Sequence, residues 1–276
     1  MTRITAPEIL NMKATNRRIA MVTAYDFSMA RLLDRAGVDM VLVGDSLGMV
    51  VQGESDTLRV TVEEMAYHGR CVDRGLERAH LTIDMPFLSY QVSPSLALEN
   101  AGRLVQKGRA QAVKLEGGVR SAAAIRACVE AGIPVVGHVG LTPQSVHAFG
   151  GFKVQGREAA AADRIREDAL AVQDAGAFCI VLEMIPAALA AELTRTLTIP
   201  TIGIGAGSDC DGQVLVCNDL LGLDERFKPR FVKRFAELSG IVEAAGRAYV
   251  DEVRAGTFPG SEHSFDTSGK VYGGGK

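Results

Sequence analysis

One arrangement recurs along the chain: an amphipathic helical stretch, a glycine, then a short run of β-branched and apolar residues that stops on a polar side chain. It is plain in LLDRAGVDMVLVGDS (32–46), LVQKGRAQAVKLEGG (104–118), CVEAGIPVVGHVG (128–140) and VQDAGAFCIVLEM (172–184). Gly37, Gly108, Gly132 and Gly176 suit the left-handed position that closes a helix, and such continuously apolar runs suit strands covered on both faces. The spacing predicts strands at 19–23, 40–44, 81–84, 112–116, 134–138, 179–183 and 201–205, with a weaker eighth at 231–234. Helices are expected between them at 26–36, 61–74, 94–107, 121–131, 158–175, 186–197 and 212–222, with a last one at 240–255. Capping boxes mark two starts, TAPE (5–8) for an extra N-terminal helix and TVEE (61–64).

Eight such units in a chain of 276 residues match an α/β fold of the (β/α)8 TIM-barrel type, with the extra N-terminal helix in front. An open doubly wound sheet would carry a glycine-rich turn after its first strand, and MVTAYDF (21–27) has no glycine. No low-complexity linker divides the chain, so residues 1–265 read as one domain and DTSGKVYGGGK (266–276) as a disordered tail.

Composition narrows the partners. A net charge of −3 leaves no basic excess for nucleic acid. The opening residues lack an apolar segment and no run approaches a membrane span, so secretion and insertion are not expected. The five cysteines are scattered without a CxxC spacing, which reads as reduced thiols in a cytoplasmic protein; Cys210, in a glycine-rich loop, fits a reactive thiol or a bystander in packing or at the surface.

In a barrel, chemistry gathers where strands run into the loops at their carboxyl ends. The polar residues there are Asp45, Asp84, Glu116, His138 and Glu183, with Lys114 two residues before Glu116. Singly, each acid could cap the helix that follows it. Four carboxylates at one mouth repel unless protonated or neutralised, and oxygen donors without cysteine favour Mg2+ or Mn2+ over zinc. Lys114 fits either a Schiff base with a ketone or a fixed cation for a substrate carboxylate. His138 fits a base or a hydrogen-bonding wall. GIGAG (203–207) fits a phosphate cradle or a close approach of backbone to a neighbour, and RFKPRFVKR (226–234) a solvated basic face.

The blocks VGDSLGMVVQG (43–53), DMPFLSY (84–90), VKLEGG (113–118), GHVGLTPQS (137–145), GGFKVQGR (150–157), LEMIPAALA (182–190), IPTIGIGAG (199–207) and FPGSEHSF (258–265) closely resemble the ketopantoate hydroxymethyltransferase family. The resemblance covers nearly everything before the tail. It implies a barrel of the phosphoenolpyruvate/pyruvate superfamily type. It also implies Mg2+ dependence, 5,10-methylenetetrahydrofolate as one-carbon donor, and conversion of 3-methyl-2-oxobutanoate to 2-dehydropantoate in pantothenate biosynthesis. By matching position, Asp45 and Asp84 are implied metal ligands, with Glu116 a third acidic residue of the metal site. Ser46 and Lys114 are implied contacts to the 2-oxo acid, and Glu183 is the implied proton acceptor. His138 lies in a matching block as a further candidate contact. Family members are homodecamers of two pentameric rings. The implied chemistry is a metal-stabilised enolate that attacks the one-carbon unit. Competing readings are a lyase of the same superfamily, a Schiff-base aldolase acting through Lys114, and a noncatalytic ring-forming scaffold.

Overall fold

A computed structural model describes residues 3–224 and 229–265 of the chain; the expected tail and residues 226–228 of the basic stretch lie outside them. The strands are β1 (Ile19–Thr23), β2 (Met40–Val43), β3 (His80–Asp84), β4 (Ala112–Glu116), β5 (Val135–Gly140), β6 (Cys179–Glu183), β7 (Thr201–Ile204) and β8 (Gly212–Leu215). All pair in parallel with their sequence neighbours, and β8 pairs back onto β1 to close the barrel. The helices are α1 (Ala6–Ala14), α2 (Phe27–Ala36), α3 (Leu47–Val50), α4 (Val62–Asp73), α5 (Pro94–Gly108), α6 (Ala122–Glu130), α7 (Val146–Phe149), α8 (Ala159–Asp174), α9 (Ala187–Thr196), α10 (Cys217–Leu221) and α11 (Leu238–Ala255).

The first seven strands and both capping boxes stand where the pattern puts them. The eighth strand does not. It is formed by 212–215, inside a stretch expected to be helical, while 231–234 contains no strand and the expected helix shrinks to α10. The cause is a tight closure: a Cβ on Gly212 would stand 2.5 Å from Ile19 O and 2.6 Å from Ile202 Cδ1, so β8 is defined by its fit between β1 and β7. A second correction concerns Gly108. Gly37, Gly132 and Gly176 have the expected positive φ, but the left-handed residue after α5 is Arg109, at φ 63°. Gly108 is instead needed for contact, since its Cβ would come 3.0 Å from Ile83 Cδ1 and 3.3 Å from Ala66 Cα.

Strand residues alternate between the barrel interior and the helix layer. Ile19, Met21, Met40, Leu42, Val136, Cys179, Val181, Ile202 and Val214 form one buried cluster, joined by Ile9 and Met12 of α1. The α1 helix therefore plugs the end where the strands begin. Lys13 holds it there, donating to Thr194 O at 2.7 Å and pairing with Asp211 at 2.7 Å. His80 Nδ1 and Gln111 Nε2 both reach the Ile4 carbonyl, at 3.0 and 3.1 Å.

The chain divides into two compact units, Met1–Cys217 with Pro229–Val232, and Asn218–Lys228 with Lys233–Lys276. The first contains the barrel. Within the second, α11 has no buried residue and exposes Ile241, Val242, Tyr249, Val250 and Val253. Among the described residues no helix is long and apolar enough to cross a membrane.

Candidate active site

Climbing the strands in steps of two, the inward positions change character. On β3 they run from His80 through Thr82 to Asp84, on β4 from Ala112 through Lys114 to Glu116, on β5 from Val136 to His138, and on β6 from Cys179 through Val181 to Glu183. Parallel register sets Asp84 beside Lys114 and Glu116 beside His138. Asp45 follows β2 and Ser46 opens α3. Asp45, Asp84, Lys114, Glu116 and His138 are all buried, and Glu183 is less enclosed.

Every site residue expected from the sequence is brought to this end. The Asp45 amide donates to Asp84 Oδ2 at 3.1 Å, and Lys114 Nζ lies 2.6 Å from Asp84 Oδ1. His138 stands between two carboxylates, with Nε2 3.1 Å from Glu183 Oε2 and Nδ1 3.6 Å from Glu116 Oε1. Neither contact is a well-directed hydrogen bond. Ser46 Oγ shares a hydrogen bond of 2.9 Å with the buried Tyr25 hydroxyl. Glu183 is aimed by two special backbone positions. Gly140, at φ 96°, leaves room for the Glu183 carbonyl, which a Cβ would meet at 2.2 Å, and Met184 adopts φ 45°, an uncommon and strained conformation for its type.

Three buried carboxylates face one ammonium group, and the electrostatics follow. Burial, then repulsion from Asp84 and Glu116, pushes the Asp45 carboxyl well above its ordinary value. Burial alone would lower the Lys114 ammonium, but Asp84, Glu116 and Asp45 outweigh it and hold the group firmly charged. That runs against a Schiff-base role, which needs a lysine with a depressed pKa. For His138, burial and Lys114 favour the neutral ring, yet Glu116 and Glu183 overcome them and raise it to about 9.

Among the described residues, no group of three or more His, Cys, Asp or Glu is arranged to hold a metal by itself. A smaller donor set does fit. Asp84 Oδ1 is buried against Lys114 Nζ at 2.6 Å, and Asp45, beside Asp84 and Glu116, bears the repulsion that a cation would relieve. Mg2+ commonly takes one or two carboxylates and completes its sphere with water and substrate oxygens. The Glu116 carboxylate is engaged otherwise, accepting the Gln144 amide at 3.1 Å.

The strand-end pattern gave no sign of Gln144, Tyr90 or Tyr25, which hold Asp45, Glu116 and Ser46 in place. The GIGAG turn is a packing feature: Gly205 presses on Met184 and Phe231, and Gly207 on Ala187.

A family model described as ketopantoate hydroxymethyltransferase matches residues 3–261. The 3-methyl-2-oxobutanoate hydroxymethyltransferase of Pelobacter propionicus is 59% identical over 264 residues, covering 96% of this chain and 98% of that protein. That of Carboxydothermus hydrogenoformans is 52% identical over 271 residues, covering 98% of each. In fold, the chain is similar to phosphoenolpyruvate phosphomutase from Streptomyces platensis subsp. rosaceus, with a TM-score of 0.62 at 13% identity over 96% of this chain and 93% of that one.

Proposed function

The chain belongs to the ketopantoate hydroxymethyltransferase family, and from that premise we propose that it transfers a hydroxymethyl group from 5,10-methylenetetrahydrofolate to 3-methyl-2-oxobutanoate. The product is 2-dehydropantoate, on the route to pantothenate. Water supplies the hydroxyl oxygen, and tetrahydrofolate leaves.

Asp45 and Asp84 would hold a divalent cation, Mg2+ or Mn2+, with Glu116 as an outer acidic neighbour. When bound, that ion would supply Lewis acidity, making the enolate of the oxo acid less costly to form. Glu183 takes the proton from the substrate carbon next to the ketone. It is the least enclosed of the site carboxylates, and His138 at 3.1 Å balances its charge. Lys114 provides a fixed positive charge for the substrate carboxylate, and Ser46, oriented by Tyr25, offers a hydroxyl. Burial of the surrounding wall keeps bulk water from quenching the carbanion.

The observation carrying this reading is the convergence of Asp45, Asp84 and Lys114 beneath the more open Glu183. The exposed apolar face of α11 supports a homo-oligomer, which we read as the decamer of two pentameric rings, in the cytoplasm. The test is purified protein with Mg2+, 3-methyl-2-oxobutanoate and the folate donor, with ketopantoate followed by mass spectrometry. Product that disappears with EDTA is expected. No product under these conditions, or product indifferent to EDTA, overturns the proposal.

A further inference from the structure

Gln144 lies outside every strand, on the short 3-10 turn Pro143–Ser145 after β5, yet its side chain is buried at the centre of the mouth. Its Oε1 accepts from Tyr90 OH at 2.7 Å and from Gln91 Nε2 at 2.9 Å. Its Nε2 donates to Asp45 Oδ2 at 2.8 Å and to Met85 O at 2.9 Å. Its backbone amide donates to Glu116 Oε2 at 3.1 Å, while Tyr90 OH in turn accepts from the Glu116 amide at 3.1 Å.

These partners fix which way the amide points. Tyr90 has one hydroxyl proton, and with the Glu116 amide supplying a donor to its oxygen, that proton goes to the closest acceptor, Gln144 Oε1. Gln91 adds a second donor on the same oxygen. Tyr90 could also donate to Glu116 O at 3.2 Å, so the decisive end is the other one: a flipped amide would set its oxygen against the Asp45 carboxylate and the Met85 carbonyl, both acceptors. That end would then be left without a donor in a buried site, which is costly. Gln144 Nε2 is therefore obliged to donate to Asp45, which ties one carboxylate oxygen and leaves Oδ1 for a ligand.

We infer that Gln144 is a positioning residue that holds the Asp45 carboxylate in one orientation for a divalent cation and the oxo acid, with Tyr90 as the group that orients Gln144. The inference rests on the metal-dependent reading proposed above. Groups that orient a ligating carboxylate typically matter by about 10- to 100-fold in metal affinity or activity.

The experiment compares the wild-type protein with Gln144→Met, which keeps the side chain's length and removes its donors and acceptor, and with Tyr90→Phe. Mn2+ binding is read by titration calorimetry, folding by circular dichroism, and turnover at increasing Mn2+. Gln144→Met is expected to stay folded, to bind Mn2+ about 10- to 100-fold more weakly, and to regain most of its kcat at saturating Mn2+. Tyr90→Phe should shift affinity in the same direction by less, because Gln91 still holds the amide. Should Gln144→Met fail to fold, Tyr90→Phe carries the test alone. Folded variants with wild-type Mn2+ affinity, or a lowered kcat that saturating Mn2+ does not restore, overturn the inference. No Mn2+ binding by the wild-type protein instead overturns the metal reading of the site.

Discussion

Where the strands begin, Ile9 and Met12 of α1 meet Ile19, Met21 and Met40, and the nearby charges are paired, Lys13 with Asp211 and Arg17 with Asp39. Where the same strands end, the buried Asp45, Asp84 and Glu116 have, among the described residues, Lys114 as their cationic partner besides the His138 ring. The first end is built as a core is built, by apolar contact and paired charges. The second keeps a surplus of negative charge at a depth where charge is costly, an arrangement that suits the divalent cation and anionic substrate proposed for it. Substitutions at the two ends should therefore separate stability from chemistry.

The largest separation is expected from Glu183→Gln. Loss of a positioned base should slow exchange of the substrate's C–H proton with deuterated water by about 10²- to 10⁴-fold. Metal binding and the unfolding curve should hardly move, and exchange at the wild-type rate would remove Glu183 from the base role. At the plugged end, Ile9→Ala should do the reverse, costing about 2–5 kcal/mol in denaturant unfolding while the folded fraction keeps its kcat/KM. A stability loss below that range would mean that α1 is an ornament rather than a plug.

Acid sharpens the contrast next. Burial pushes His80 down from 6.5 to about 4 despite its bond to the Ile4 carbonyl. The unfolded chain takes up the proton first, so this contribution to stability is lost as pH falls from 6.5 through about 4, a loss of up to about 3 kcal/mol. Asp45 runs the opposite way. Its raised pKa penalises the folded state once ionised, so falling pH relieves strain at the mouth. Unfolding of wild type and His80→Gln across this range checks the sign, since the difference between them should be constant near neutral pH and shift in favour of the variant on acidification. The smallest effect is expected from Asp45→Asn. With EDTA present it should stabilise the protein by about 1 kcal/mol, because one of three crowded charges is gone, while stabilisation by added Mg2+ disappears. Destabilisation of the metal-free variant would contradict the repulsion argument.

The same contrast explains what the sequence made legible. Strands buried on both faces are continuous apolar runs, and the residues that interrupt them, Asp45, Asp84, Glu116, His138 and Glu183, stand out for that reason. The closing strand β8, GQVL, is held by its two neighbours and by the absence of a side chain at Gly212, a relation between distant segments that leaves no local periodicity. Gly108 was visible as a helix-ending glycine but not as a contact with Ala66, for the same reason. Gln144 is uncharged and sits on a turn, so nothing in its own neighbourhood marks it; only the fold brings it to Asp45, 99 residues earlier.

The anchoring of α1 has a consequence for synthesis. Lys13 leaves the ribosome 181 and 198 residues ahead of its partners Thr194 and Asp211. At about 5–20 residues per second, the helix waits roughly 10–40 s with Ile9 and Met12 exposed before its seat exists. A nascent chain stalled before residue 211 would carry an undocked, sticky α1, which makes this helix a natural early client for holding chaperones.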